Sequence, residues 1–131
     1  VALLKFTPGF DPMIIDAVVD AGFRGVVFEG TGLGHISEAC YESIGHATKA
    51  GLLIGMTSQC IWGRVNMNVY SMGRELTRRG VEPLDDILPE TAYVKMMWSL
   101  GQTKDSEEAR TLLKTNISGE YNDRTPYLGR E

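Results

Sequence analysis

Two short stretches of this sequence carry side chains able to do chemistry, and each follows an apolar run. Glu29-Gly30-Thr31-Gly32-Leu33-Gly34-His35 ends in an imidazole, and Thr57-Ser58-Gln59-Cys60 offers two hydroxyls, an amide and a thiol. A serine or cysteine nucleophile with His35 as its base is the reaction this set allows. Nothing in the spacing demands it, because a nucleophile elbow reads G-x-S-x-G and Gly55-Met56-Thr57-Ser58 does not. Cys60 is expected instead to be buried as a small apolar residue. The glycine loop has two readings. Its backbone N–H groups face a ligand at a helix N-terminus, or its glycines serve a tight turn that needs positive φ. Dinucleotide binding does not fit: the glycines are spaced G-x-G-x-G, and the next apolar run ends in Gly55-Met56-Thr57 without a carboxylate.

No metal site is expected. Cys40 and His46 are six residues apart, which turns them to different faces of a helix, and Cys60 is remote from both. His46 reads as a partly exposed helix residue. Arg64, Arg74, Arg78 and Arg79 form the one basic cluster, and with Glu75 among them they read as a solvated face. Thirteen basic against seventeen acidic residues give a net charge of −4, which argues against a dedicated nucleic-acid domain. No apolar run approaches the roughly 20 residues a membrane helix needs. Two cysteines do not make a disulfide scaffold, and two free thiols in a reducing cytoplasm are expected.

The elements that must position these residues follow from apolar periodicity. With 131 residues, 43% of them hydrophobic, the chain suits one domain with a core of useful size. Strands are expected at Leu3 to Thr7, Gly25 to Phe28 and Leu52 to Met56, without polar alternation, as in a parallel sheet covered on both faces. Helices are expected over Met13 to Ala21, with Ile14, Ile15, Val18 and Val19 on one face, and over Ser37 to Ala50, with Cys40, Ile44 and Ala47 inward. A third helix runs from about Asn66 to Arg79 with Val69, Met72 and Leu76 inward. Pro89 opens a fourth, with Tyr93, Met96, Met97 and Leu100 inward, and Asp105 and Glu108 begin a short fifth. Gly22, Gly51 and Gly80 end helices. The alternation predicts an α/β fold, a small three- to four-stranded parallel sheet with flanking helices, flavodoxin-like. Residues 1–115 form the domain, and 116–131 an irregular, loosely held tail. The opening Val1-Ala2-Leu3-Leu4-Lys5 already reads as a strand and lacks an initiator Met, so further polypeptide is expected before it.

Several stretches together resemble the C-terminal domain of the type I L-asparaginase family: Ser58-Gln59-Cys60, Gly63-Arg64-Val65, Tyr70 with Gly73 and Leu76, Gly80-Val81, and Asp86-Ile87-Leu88-Pro89-Glu90-Thr91-Ala92 with Lys95 and Leu100. Gly25-Val26-Val27 and Gly32-Leu33-Gly34-His35 match the family's strand and glycine loop. Within the family, Thr91-Ala92-Tyr93-Val94-Lys95-Met96-Met97-Trp98 and Asn116-Ile117-Ser118-Gly119-Glu120 resemble the D subunits of the archaeal glutamyl-tRNA(Gln) amidotransferases. Two positions depart from the asparaginase pattern. Leu88 stands where many asparaginases carry Thr, and Leu cannot act as a side-chain N-cap. His35 stands where they commonly have Asn.

The family's Thr-Gly-Gly-Thr-Ile stretch, with its nucleophilic Thr, and the second Thr, Asp and Lys all lie in an N-terminal domain. None of these motifs occurs here, so the resemblance implies no catalytic residue and no cofactor in this chain. It implies a wall and a dimer interface, with Gly32, Gly34, His35, Ser58, Gln59 and Cys60 lining substrate in a neighbouring subunit's site. The implied partners are the chain's own N-terminal catalytic domain, a homodimer mate, the E subunit of the amidotransferase and, indirectly, tRNA(Gln). A cytoplasmic type I L-asparaginase and a freestanding small-ligand binding module are the alternatives.

Overall fold

The three unalternating apolar runs form strands in a computed structural model that describes residues 1–124. They are β1 (Ala2–Lys5), β2 (Gly25–Gly30) and β3 (Leu53–Ser58), and a fourth strand, β4 (Val81–Pro83), joins them. All pair in parallel in the order β1-β2-β3-β4. Helices α1 (Met13–Asp20), α2 (Tyr41–Lys49) and α3 (Ser71–Arg78) make the crossovers; α4 (Pro89–Gln102) and α5 (Ser106–Lys114) follow β4. A sheet wound in one direction with right-handed crossovers carries all its crossover helices on one face. The core divides accordingly. Ile15, Val18, Ile44, Ala47 and Leu76 from α1–α3 pack with Val26, Phe28, Ile54 and Met56 on one face of the sheet. Ala92, Met96, Leu100, Ala109 and Leu113 from α4 and α5 pack with Val27, Leu53 and Leu84 on the other. The expected layering is present, while the reversal of strand order found in a flavodoxin-type sheet is not among the described strands.

Several expectations need correction. The third helix begins at Ser71, not Asn66; Val69 and Met72 face solvent, and only Leu76 of the three is buried. In the first and fourth helices Ile14 and Met97 are exposed beside buried neighbours. The second helix is entered through a 3₁₀ turn, Glu38–Cys40, after the Ser37 side chain accepts from the Ala39 N–H. Residues 116–124 are not loosely held, since Glu120 pairs with buried Lys95 and Tyr121 packs on the second core. The rest of the tail, 125–131, lies outside the described residues. Among the described residues no helix is long and apolar enough to cross a membrane.

The start of α5 shows how local chemistry sets a boundary. The Asp105 carboxylate accepts from the Glu108 N–H at 2.8 Å, and the Thr103 hydroxyl accepts from the Asp105 N–H and donates to the Glu108 carboxylate. Asp105→Ala should cost about 1 kcal/mol of stability, read by chemical denaturation, because it leaves a first-turn N–H unpaired. A variant as stable as the parent would show that Thr103 alone suffices.

Candidate functional site

Parallel strands of one sheet deliver all their carboxyl ends to one edge, where α/β folds place their ligands. Here that edge holds a cleft of about 180 Å³. Lys5 from the end of β1 and Glu29 from the end of β2 form one side, paired at 3.2 Å. Ser58, Gln59, Cys60 and Ile61 leave β3 into its floor and rim. Asp86 after β4, with Leu88, Pro89 and Glu90 at the start of α4, closes the far side. Three carboxylates against one ammonium make the lining acidic.

The polar groups of the β3 exit are held in place. The Ser58 hydroxyl donates to the Gly32 carbonyl at 2.6 Å and accepts from the Cys60 N–H at 3.0 Å. The Gln59 side-chain amide donates to the carbonyls of Phe6, at 2.5 Å, and Glu29, at 2.9 Å, stitching the ends of β1 and β2 together. Both Nε2 protons are engaged there, so Oε1 is left as a hydrogen-bond acceptor. The Thr57 hydroxyl is buried and donates to the Phe28 carbonyl at 2.7 Å.

The glycine loop folds on itself. Thr31 and His35 exchange backbone hydrogen bonds at 2.9 Å in both directions, and Gly34 donates to the Thr31 carbonyl. Gly32 and Gly34 take φ values of +51° and +97°, so the tight-turn reading of this loop holds at both. His35 lies edge-on to Tyr70 with ring centroids 5.3 Å apart, and its Nε2 is enclosed without a hydrogen-bond partner among the described residues. The loop therefore touches the cleft through the Gly32 carbonyl on Ser58, while Gly32, Gly34 and His35 are not among the cleft's lining residues.

Ser58, Gln59 and Cys60 line the cleft together; the imidazole does not join them. Cys60 is exposed, contrary to the expectation of a buried thiol. Cys60 lies past the end of β3 at Ser58, in a turn that the Gly63 N–H closes onto the Cys60 carbonyl, where no core is left to cover the thiol. The buried thiol is that of Cys40, whose pKa burial pushes up. Arg64 stands apart from the other arginines, paired with Asp85 and Asp86. Lys5, Glu29 and Glu90 were not among the expected site residues. The first two end strands on the carboxyl edge, and that position is the signal that would have found them. Among the described residues no group of His, Cys, Asp and Glu is placed to hold a metal ion.

The family described as Glutaminase/Asparaginase C-terminal domain matches residues 1–113. The chain is 56% identical over 124 residues to the D subunit of the glutamyl-tRNA(Gln) amidotransferase of Metallosphaera sedula, covering 95% of this chain and 28% of that protein. The corresponding D subunit of Pyrococcus horikoshii is 54% identical over 127 residues, with 97% of this chain and 28% of that protein covered. Among solved structures, the thermostable L-asparaginase from Thermococcus kodakarensis superposes with a TM-score of 0.85 at 33% identity, over 94% of this chain and 38% of that one. The chain thus spans little more than a quarter of the length of these curated relatives.

Proposed function

The chain belongs to the glutaminase/asparaginase C-terminal domain family, and from that premise we propose that it is the C-terminal domain of the D subunit of a glutamyl-tRNA(Gln) amidotransferase. In the full protein the side-chain amide of glutamine is hydrolysed by a Thr nucleophile of the N-terminal domain. The ammonia passes to the E subunit, which uses it to amidate glutamate carried on tRNA(Gln). This domain forms a dimer interface and one wall of the amide site. Its β3 exit, Ser58 to Cys60, faces its own cleft, and Gly32, Gly34 and His35 face a neighbouring subunit's site. The protein works in the cytoplasm.

The observation that carries this reading is the bonding of Ser58. Its hydroxyl proton is given to a backbone carbonyl, and no imidazole, amine or carboxylate among the described residues takes it. Such a group shapes a surface and does not attack an amide. Sequence identity of 56% to an amidotransferase D subunit against 33% to the Thermococcus asparaginase favours the amidotransferase over a plain asparaginase. The expected result is that the full-length protein releases ammonia from glutamine, while the 131-residue chain, shown to be folded by circular dichroism, releases none. Glutamine turnover by the folded chain alone would overturn the assignment of a wall.

A further inference from the structure

The matched family domain ends at residue 113, yet the alignment to the Pyrococcus amidotransferase takes in 127 of the 131 residues. At most four residues lie outside that alignment, so the segment 114–124, past the matched domain, is shared with that D subunit. It is fastened in two places. On the back of α4, the Lys95 ammonium bonds the Thr115 carbonyl and the Glu120 carboxylate and lies 5.1 Å above the Tyr121 ring, while the Tyr121 hydroxyl donates to the Leu113 carbonyl. From there the chain reaches the cleft. The Asn122 N–H and side-chain amide donate to the two oxygens of Asp86 at 3.0 and 2.8 Å, and the Asn122 carbonyl accepts from Arg64.

We infer that Asn122 is a positioning residue for the cleft, holding Asp86 and, through Arg64, the rim turn Cys60–Arg64 in place for the substrate amide. This rests on the reading of the cleft as a wall of the amide site. Asp86 lines the cleft, and Arg64 lies 3.4 Å from it and 3.7 Å from Asp85. The Asp85 carbonyl accepts from the Val65 N–H at 2.8 Å, and the Gly63 N–H closes the turn onto the Cys60 carbonyl at 2.9 Å. Asn122 therefore completes a ring that ties the segment after β4 to the segment after β3. Burial by itself would raise the Asp86 pKa, yet the two Asn122 donors and the Arg64 charge hold it below the ordinary value. A carboxylate with both oxygens engaged has one orientation, and the main chain on either side inherits it.

The test uses the full-length protein, with Asn122→Asp, a truncation after Tyr121, and the swap Asp86→Asn with Asn122→Asp. The single variant sets two carboxylates against each other, whereas the swap restores a donor–acceptor pair and one negative charge beside Arg64. Hydrogen exchange at Gly63 and Val65 should quicken about tenfold in the first two. The kcat/KM for glutamine should fall about tenfold, mostly through KM, since loss of geometry remote from the chemistry acts at this scale or above. The swap should recover both to within about threefold. Parental exchange rates in Asn122→Asp, or faster exchange with unchanged KM, would overturn the inference. A parent that does not hydrolyse glutamine would sink the proposed function instead, and exchange, which needs no substrate, would still decide the clasp.

Discussion

Gly34→Ala is expected to destabilise the domain by roughly 2–4 kcal/mol, and Gly32→Ala by only about 1. Both residues sit at positive φ, +51° for Gly32 and +97° for Gly34, where a Cβ meets the backbone unfavourably. They differ in their surroundings. A Cβ at Gly32 meets nothing within 4 Å, whereas one at Gly34 would lie 2.9 Å from both Met56 Cγ and Val65 Cγ1. Met56 and Val65 are themselves buried in the first core, so neither can move without displacing others. At Gly34 the overpacking cost therefore adds to the dihedral strain. The consequence reaches the cleft, because the same loop supplies the carbonyl that fixes Ser58. Chemical denaturation of the two variants checks the difference, and equal losses within about 0.5 kcal/mol would show that the loop yields.

What can be read from the sequence here follows from how local each determinant is. β2 and β3 are legible over Gly25 to Phe28 and Leu53 to Met56, where every residue is buried in the sheet between the two helix layers and no polar alternation interrupts them. β4 has three residues, one of them Pro83, and forms an edge of the sheet. A strand that short leaves no period to detect, and proline is tolerated because an edge needs fewer ladder bonds. With β4 unseen, the place of Asp85 and Asp86 on the carboxyl edge could not be inferred. The misplaced start of α3 has another cause. Asn66 Oδ1 accepts from the Asn68 N–H at 3.3 Å in a local turn that competes with helix. A Cβ at Gly73 would come within 2.5 Å of the Met67 carbonyl oxygen, which shows how tightly that turn is folded back on α3. His35 and Ser58 share one sheet edge but not one cleft, because the Thr31–His35 bridge turns the loop toward Tyr70. The tail was the least legible part: Lys95 and Glu120 stand 25 residues apart, and nothing local marks them as partners.

That pair makes a second strong expectation, in acid. The Glu120 side chain is 9% exposed and that of Lys95 7%. The Lys95 ammonium is the main reason that the Glu120 pKa falls from 4.5 to about 2; burial opposes it, and the N–H groups of Glu120, Ser118 and Ile117 add to it. A carboxylate whose pKa is depressed on folding stabilises the native state fully above its unfolded value, and that stabilisation disappears as pH falls through the folded value. Wild type should therefore exceed Glu120→Gln in stability by a constant margin from pH 7 to about 4.5, and the margin should shrink toward nothing as pH approaches 2. Other carboxylates titrate in both proteins, so the difference between the two denaturation curves isolates this group. Because Glu120 also accepts from Ile117 and Ser118, the glutamine variant loosens the whole strap. Hydrogen exchange at Ser118 should follow the same pH course in the wild type. A margin that stays flat down to about pH 3 would mean that the ion pair does not hold the tail, and the anchoring would then have to come from Tyr121 packing against the second core.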